Sequence, residues 1–177
     1  GEAYSPIVAA GPNGALPHAI PTDREFRQGD FIVIDAAAKY GGYHADMTRT
    51  PVVKKATDRH HEIYSIVKEA QKRGCDAAKS GVKCKVVDAA TRDYITDKGY
   101  GDCYTHGTGH GLGLEIHTIP RFSPKSEEVL KKNNVMTIEP GIYIAGWGGV
   151  RIEDDVIIKK NNCEILNKTT KDLVIID

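Results

Sequence analysis

The chain lacks an excess of charge of either sign, because 24 Lys and Arg balance 24 Asp and Glu over 177 residues. It also lacks a long run of like charge, so nothing predicts an electrostatic surface for nucleic acid or an anionic membrane. No apolar stretch reaches the roughly 20 residues that a membrane-spanning helix needs. No linker or second domain boundary stands out either. We therefore expect one domain, residues 1–177, that has neither nucleic-acid nor membrane partners.

Cysteine is scarce, and none of the four residues Cys75, Cys84, Cys103 and Cys163 shows a CxxC spacing. Four such thiols are few for a disulfide scaffold, which favours a reducing compartment and predicts a cytoplasmic location. Residues 1–10 lack the basic start and the apolar segment of a signal peptide. The chain nevertheless begins almost inside a predicted strand, so an upstream targeting segment is left open.

The apolar pattern alternates between strand and helix and predicts a mixed α+β fold. One helix is predicted from Asp58 to about Ser80, with Thr57 as its N-cap and an apolar face at i, i+3, i+4 and i+7. Two further helices are predicted over Lys85–Lys98, with Val86, Ala89, Ala90 and Tyr94 facing inward, and over Ser126–Lys132. The predicted strands are Ser5–Ala10, Phe31–Ala37, Tyr43–Val53, Val135–Ile144, Gly149–Lys159, Cys163–Leu166 and Leu173–Ile176.

Two predicted hairpins each place a pair of acids opposite one another. A turn centred on Tyr40 and Gly41 would pair Asp35 with Asp46, and a loop centred on Gly146 would pair Glu139 with Glu153. Like charges directly opposite on a sheet destabilise it, and burying them unpaired costs more. A divalent cation removes this conflict, since carboxylate-rich sites suit hard metal ions. The two pairs therefore predict a metal site.

A glycine-rich segment, HGTGHGLGLEIHTIP, adds three of the seven histidines of the chain: His106, His110 and His117. Neutral imidazole is the commonest metal ligand in proteins, and one imidazole beside carboxylates extends the fitting metals to iron, cobalt and zinc. An incidental set of histidines in a flexible loop is the alternative. We favour His110 as a ligand and the other two as residues of the same site.

Three blocks carry a resemblance to a known family: DAAAKYGGYHADMTRT, HGTGHGLGLEIHTIP and TIEPGIYIAGWGGVRIED. Their acids and histidines, in this order, resemble the metallopeptidases of the pita-bread fold. The DMTRT, EPGIYI and RIEDD runs resemble the proline-specific branch, the Xaa-Pro aminopeptidases and Xaa-Pro dipeptidases (prolidases). The resemblance implies an α+β fold with a curved antiparallel sheet and helices on its outer face. It also implies that the N-terminal helices are missing, so that 1–177 is the catalytic, C-terminal part of a longer, homodimeric enzyme.

The resemblance further implies a role for each matching residue. Two divalent metals would be bound, with manganese as the first choice and cobalt, zinc or iron as alternatives. Glu139 would also shuttle protons, and His117 would contact the scissile carbonyl. His18 and His106 would line the substrate pocket, with Arg151 as support. The implied metal ligands are Asp35, Asp46, His110, Glu139 and Glu153, with Asp46 and Glu153 bridging.

The function implied is hydrolysis of the Xaa-Pro bond at the N-terminus of peptides, by a hydroxide that bridges the two metals. The substrates would be peptides with proline in second position. Alternatives are a methionine aminopeptidase, a creatinase-like hydrolase of the same fold, or a pita-bread module that binds without catalysis. Whether the enzyme acts as an aminopeptidase or as a dipeptidase is left open by the sequence.

Several polar residues near these motifs have a structural interpretation as well. His60 and His61, at the start of a predicted helix, are expected to face solvent. His44 shares a strand face with Asp46 and could serve the pocket or only the hairpin. Thr48 shares the same face and could donate a hydrogen bond to a metal-bound oxygen or to a bound ligand. Thr118 stands where the family often has an acid, which predicts altered substrate contacts rather than lost activity.

Overall fold

Two α-helices and fourteen short strands make up the computed structural model, which describes residues 1–177. The helices are α1 (Asp58–Ala77) and α2 (Cys84–Asp97). Two short 3-10 turns lie at Gly11–Ala15, directly after the first strand, and at Gly101–Cys103. The strands are β1 (Ile7–Ala10), β2 (Ile32–Asp35), β3 (Lys39–Tyr40), β4 (Tyr43–His44), β5 (Thr48–Arg49), β6 (Val52–Val53), β7 (Gly109–Gly111), β8 (Thr118–Phe122), β9 (Val135–Ile138), β10 (Gly141–Ile144), β11 (Gly148–Arg151), β12 (Asp154–Ile158), β13 (Cys163–Ile165) and β14 (Ile175–Ile176).

Almost all strand pairs are antiparallel. The largest sheet has the order β13-β12-β9-β7-β8, a second has the order β1-β2-β5, and β10 and β11 form a hairpin. The one parallel pair joins β14 to β6 near the end of the chain. This arrangement confirms the predicted α+β class.

The structure confirms the predicted helix α1, its start at Asp58 and its N-cap Thr57. The Thr57 side chain accepts from the His60 backbone N–H, and Nδ1 of His60 accepts from the Thr57 backbone N–H at 3.0 Å, which closes a capping box. The Thr57 hydroxyl also lies 2.6 Å from the same Nδ1. His60 is consequently buried and also contacts the carbonyl of Gly29, so its predicted exposure is wrong, whereas His61 is exposed. The helix ends at Ala77, earlier than the predicted end.

The inward face of α2 differs from the prediction by one position. The buried residues are Cys84, Val87, Asp88, Thr91 and Ile95, whereas Val86 is half exposed. The predicted face followed apolar residues only. The observed face contains Asp88 and Thr91, whose side chains are buried because they hydrogen-bond to Thr108 of a neighbouring loop.

The first hairpin has a different register from the predicted one. Gly41 and Gly42 form the turn with φ of 57° and 88°, because a tight two-residue turn of this hand needs positive φ at both central positions. Lys39 then faces His44, and Asp35 faces Thr48. The predicted pairing of Asp35 with Asp46 is therefore wrong by two residues, and Asp46 lies between β4 and β5 instead.

The second hairpin has the predicted register. Ile138 faces Asp154 in one ladder and Gly141 faces Arg151 in the next, which leaves Glu139 opposite Glu153 at the junction. Each predicted strand is interrupted at its acid, so Val135–Ile144 and Gly149–Lys159 are both divided in two. The interruption frees both glutamates from regular ladder positions.

The predicted helix Ser126–Lys132 is wrong, because this segment is extended. Leu130 donates its N–H to Val82 and accepts from Gly81, and Val129 forms a bridge with Lys83. The backbone hydrogen bonds of the segment therefore go to the residues that precede α2 rather than to its own turns.

Two apolar clusters hold the strands that flank the acids. Ile142 belongs to a cluster with Ile63 and Val67 of α1, whereas Ile138 belongs to a second cluster with Phe122 and Val87. A fully buried side chain of this size contributes roughly 1.5–3 kcal/mol. Glu139 is thus fixed between two packed anchors.

Candidate metal centre

Five acid and imidazole side chains line a single cavity of about 420 Å³. They come from separate elements: the end of β2, the connection from β4 to β5, strand β7, and the two interruptions before β10 and β12. The cavity therefore brings together all five residues that the sequence singled out as ligands, which are Asp35, Asp46, His110, Glu139 and Glu153.

The distances within this group are short. Ligand atoms of Asp46, His110 and Glu153 all lie within 4.8 Å of one another. Nε2 of His110 is 3.3 Å from Oε1 of Glu139 and 3.7 Å from Oδ2 of Asp46. The Tyr4 hydroxyl contacts both aspartates, which places Asp35 beside Asp46 despite the changed hairpin register.

The imidazole of His110 is oriented with one nitrogen available to a metal. Its Nδ1 lies 3.0 Å from the carbonyl oxygen of Gly111, which can only accept, so Nδ1 carries the hydrogen. Burial lowers the pKa of His110 to about 4, which keeps the ring neutral. Nε2 therefore presents its lone pair to the carboxylates, in the form that metals bind.

Burial has the opposite effect on the acids. Removal from water raises the pKa of Glu139 to about 8 and that of Asp46 to about 6, and it raises the pKa of Glu153 well above its usual range. The charges of neighbouring carboxyls also raise the pKa of each of these three acids. A metal-free site would hold protons at neutral pH, and a divalent cation would satisfy the same oxygens. The donor set thus fits hard or borderline divalent metals.

Arg151 is the cation that partly offsets these acids. It is buried, and its Nη2 donates to Asp35 at 2.6 Å, its Nε to Thr48 at 3.0 Å and its Nη1 to the Tyr143 hydroxyl at 2.9 Å. Thr48 in turn donates to Oε2 of Glu153 at 2.6 Å. Arg151 thus contacts an acid of the first hairpin directly and an acid of the second through Thr48, and its supporting role stays a prediction.

The three remaining histidines that the sequence singled out also line the cavity. His106 is kept neutral because burial lowers its pKa to about 4, and its Nε2 lies 2.8 Å from the Tyr143 hydroxyl. The rings of His117 and His110 meet edge to face at 4.3 Å. His117 and His18 are exposed on the cavity wall.

Sequence reasoning missed four residues of this region. Tyr4 and Arg121 line the cavity, Tyr143 joins Arg151 to His106, and Oδ2 of Asp155 accepts the backbone N–H of Asp46 at 2.9 Å. Tyr143 and Asp155 lie inside the EPGIYI and RIEDD runs, and Arg121 directly follows the histidine-rich block, whereas Tyr4 lies in none of the three blocks. His44 turns away and contacts the carbonyl of Gly113.

A comparison with protein families decides the kinship of the chain. The model of metallopeptidase family M24 matches residues 1–160. The chain belongs to metallopeptidase family M24. Its resemblance to the proline-specific branch is confirmed by its relatives, which include an Xaa-Pro dipeptidase of Pyrococcus furiosus. The two are 49% identical over 172 residues, which cover 97% of this chain and 49% of that protein.

Solved structures of this family confirm the pita-bread fold. The X-Pro aminopeptidase of Thermotoga maritima superposes with a TM-score of 0.97 at 43% identity, covering 99% of this chain and 50% of that one. A zinc-substituted aminopeptidase P of E. coli in complex with product is more distant, with a TM-score of 0.83, 30% identity, and coverage of 93% and 44%. The chain spans about half the length of the curated relatives it matches. Neither of its helices has the length and apolarity that a membrane crossing requires.

Proposed function

We propose that this chain carries the active site of a metal-dependent exopeptidase that hydrolyses the Xaa-Pro bond at the N-terminus of peptides. The observation that carries the proposal is the convergence of five ligand-type side chains and three histidines on one cavity. Membership of a metallopeptidase family whose relatives are named Xaa-Pro dipeptidases supports it. Residues 1–177 would act as one catalytic domain.

The residues that would hold two divalent metals are Asp35, Asp46, His110, Glu139 and Glu153. Manganese is the first choice, and cobalt, zinc and iron fit the same donors. When bound, the metals would supply an activated water and polarise the scissile carbonyl.

Glu139 is the proposed carrier of protons. Its Oε1 accepts from the Thr137 hydroxyl at 3.0 Å, which fixes the carboxyl in the cavity. With metal bound, Glu139 would have lost the proton that it holds in the metal-free protein, and its carboxylate could then accept a proton from water and pass it on. The acceptor would be the leaving prolyl nitrogen, whose departure from a tertiary amide depends on protonation.

The histidines would bind and orient the substrate. His117 is exposed in the cavity and adjacent to His110, so its ring N–H can donate to the carbonyl oxygen as negative charge develops there. His106 stays neutral and is fixed by Tyr143, so it offers a rigid, uncharged wall. His18 lines the same cavity.

Charge in the cavity distinguishes the two ends of a peptide. The acids favour the free α-amine of the first residue, which explains cleavage at the N-terminus. On the wall, Arg121 forms no ion pair with any carboxylate of the chain, so its guanidinium can receive the carboxylate of a short substrate. This favours dipeptides over longer peptides.

The decisive test is hydrolysis by the purified protein after loading with manganese. Dipeptides of the Xaa-Pro type, longer Xaa-Pro peptides, Met-Ala peptides and creatine would be compared by chromatography of the products. We expect release of proline from the dipeptides, loss of activity with a chelator, and its recovery with manganese. Glu139→Gln should abolish hydrolysis, while the exposed control Glu164→Gln should not.

Other outcomes point to the alternatives. Cleavage of Met-Ala peptides alone would indicate a methionine aminopeptidase, and turnover of creatine would indicate a creatinase-like hydrolase. A folded protein that binds none of the metals and cleaves none of the substrates would favour a binding module and overturn the proposal.

A further inference from the structure

A buried ion pair on α2 lies behind the metal centre rather than in it. Arg92 donates to Asp88 with two nitrogens, Nε at 2.7 Å and Nη2 at 2.9 Å, so the pair is bidentate. Asp88 is 1% exposed and the side chain of Arg92 is about a quarter exposed. Neither residue touches the cavity that holds the candidate ligands.

The same pair binds the loop that leads into β7. Arg92 also donates to the carbonyl of Tyr104 at 3.1 Å and to that of His106 at 2.7 Å, and its guanidinium stacks 4.3 Å from the Tyr104 ring. Oδ1 of Asp88 accepts from the backbone N–H of Thr108 at 3.1 Å and from its hydroxyl at 2.9 Å. Loop residues 104–108 are therefore held at three points by one ion pair.

Two groups of the site depend on this loop. The Thr108 carbonyl accepts the backbone N–H of Glu139 at 2.8 Å, which fixes the main chain of the proposed proton carrier. His106 belongs to the loop itself and reaches Tyr143 from it. A shift of the loop would move both groups relative to the ligands, and small misplacements of reacting groups are costly in rate.

We propose that Asp88 and Arg92 are positioning residues, which set the places of His106 and Glu139 through the 104–108 loop. Both side chains are needed, since Asp88 binds the loop's N–H and hydroxyl while Arg92 binds its carbonyls. A lysine at 92 would keep the charge opposite Asp88 but could not reach both carbonyls with one nitrogen. The consequence for hydrolysis rests on the proposed function, whereas the positioning itself does not.

Arg73 provides a matched control on the other helix. It pairs with Glu69 four residues earlier at 2.9 Å and stacks 4.0 Å from the Tyr94 ring, as Arg92 does with Asp88 and Tyr104. Its guanidinium donates to Glu69 and to none of the loop's carbonyls. Arg73→Ala therefore removes an ion pair of the same i, i+4 spacing, more exposed than Arg92–Asp88, without removing a hydrogen bond to the loop.

The test compares Arg92→Ala, Arg92→Lys and Arg73→Ala in the metal-loaded protein. Amide hydrogen exchange at Thr108 and Glu139 is the direct readout, beside kcat, KM and metal content. We expect faster exchange at both amides and a kcat about 10- to 100-fold lower in Arg92→Ala, at unchanged metal content. Arg73→Ala should match the wild type in exchange and kcat, and Arg92→Lys should lie between them.

The outcomes separate this inference from the proposed function. Suppose that the wild type cleaves Xaa-Pro peptides. If Arg92→Ala then has the same amide exchange rates and the same kcat as Arg73→Ala, the positioning role is wrong. Unchanged kcat despite faster exchange would also overturn it. If the wild type cleaves nothing, the proposed function fails, and exchange alone decides whether the pair holds the loop. Should Arg92→Ala not fold, Arg92→Lys and Thr108→Val supply the same comparison.

Discussion

The hydroxyl of Tyr4 lies 2.5 Å from Oδ1 of Asp46 while it also contacts Oδ1 of Asp35. A phenol has one hydrogen to donate, so it serves one carboxylate at a time and the other contact needs a carboxyl proton. Burial and the two acids raise the pKa of Tyr4 above its usual range, so the hydroxyl stays protonated. Tyr4 therefore sets the separation of two candidate ligands that the hairpin register does not pair.

Removal of this hydroxyl should weaken metal binding. We expect Tyr4→Phe to lower the affinity for manganese or cobalt by about 10- to 100-fold, as substitution of residues that orient ligands does elsewhere. Competition titration with a chromophoric chelator measures this directly. Tyr40→Phe, at an exposed turn, is the control and should leave the affinity unchanged. Equal affinities in the two variants would mean that the hydroxyl does not organise the ligands.

Metal binding should release protons at neutral pH. Burial raises the pKa of Glu139 to about 8 and that of Glu153 well above its usual value, so both carry protons in the metal-free protein. A cation must displace them to reach the oxygens. We expect more than one proton per protein to be released at pH 7, measured by titration calorimetry in buffers of different ionisation enthalpy. Heats that do not vary with the buffer would contradict the raised pKa values.

The same pKa values determine how metal-free stability depends on pH. The folded pKa of Glu139 is raised above its unfolded value of about 4.5, so its stabilising effect is complete below that value. It is lost as pH rises from about 4.5 through 8. We therefore expect the chelated protein to lose thermal stability over this range, and the metal-loaded protein to lose much less. Parallel melting curves at stepwise pH test this, and a chelated protein that gains stability would refute it.

The candidate ligands could be predicted because each lies in a local motif. That Glu139 lies opposite Glu153 follows from the hairpin register alone. The turn at Gly146 fixes the register of the two strands, and the observed pairs on either side of the glutamates agree with it. Asp35 and Asp46 were identified for a partly wrong reason. The turn lies at Gly41 and Gly42, and the two acids meet across Tyr4 rather than across a ladder.

The supporting contacts could not be predicted, because they join residues far apart in the sequence. Arg151 meets Asp35 across 116 positions, and Tyr4 meets Asp46 across 42. The inward face of α2 was misplaced for a related reason. Hydrophobic periodicity cannot show that Asp88 is buried, since its burial depends on partners from another segment.

The glycines of the histidine-rich segment differ sharply in what they tolerate. A Cβ at Gly109 would lie 2.1 Å from the carbonyl oxygen of Thr137, on the neighbouring strand β9, whereas a Cβ at Gly113 would meet nothing within 4 Å. Gly109→Ala must therefore push β7 away from β9 and shift His110. We expect it to cost about 1–3 kcal/mol or more in unfolding free energy.

Gly113→Ala is the matched control, four residues along the same segment, and should be close to neutral. Denaturant unfolding of both variants, with and without metal, gives the comparison. If Gly109→Ala were as stable as Gly113→Ala and bound metal normally, the close approach of β7 and β9 would not be a constraint on the site.

Arg151 couples the two acid hairpins, and its loss should affect both stability and the pH range of metal binding. Arg151→Met leaves the half-buried Asp35 without its partner. Breaking a fully buried pair costs about 3–5 kcal/mol, so we expect a loss at or below the lower end of this range. Because Arg151 also lowers the pKa of Glu139 and Glu153, its removal should raise both and move the midpoint of metal binding to higher pH. Arg151→Lys keeps a positive charge but cannot reach Asp35, Thr48 and Tyr143 together, so we expect an intermediate stability and a smaller alkaline shift.

Melting of the chelated variants and metal titrations from pH 5 to pH 9 measure the two effects. An unchanged midpoint in Arg151→Met would show that the guanidinium holds the hairpins together without tuning their acids.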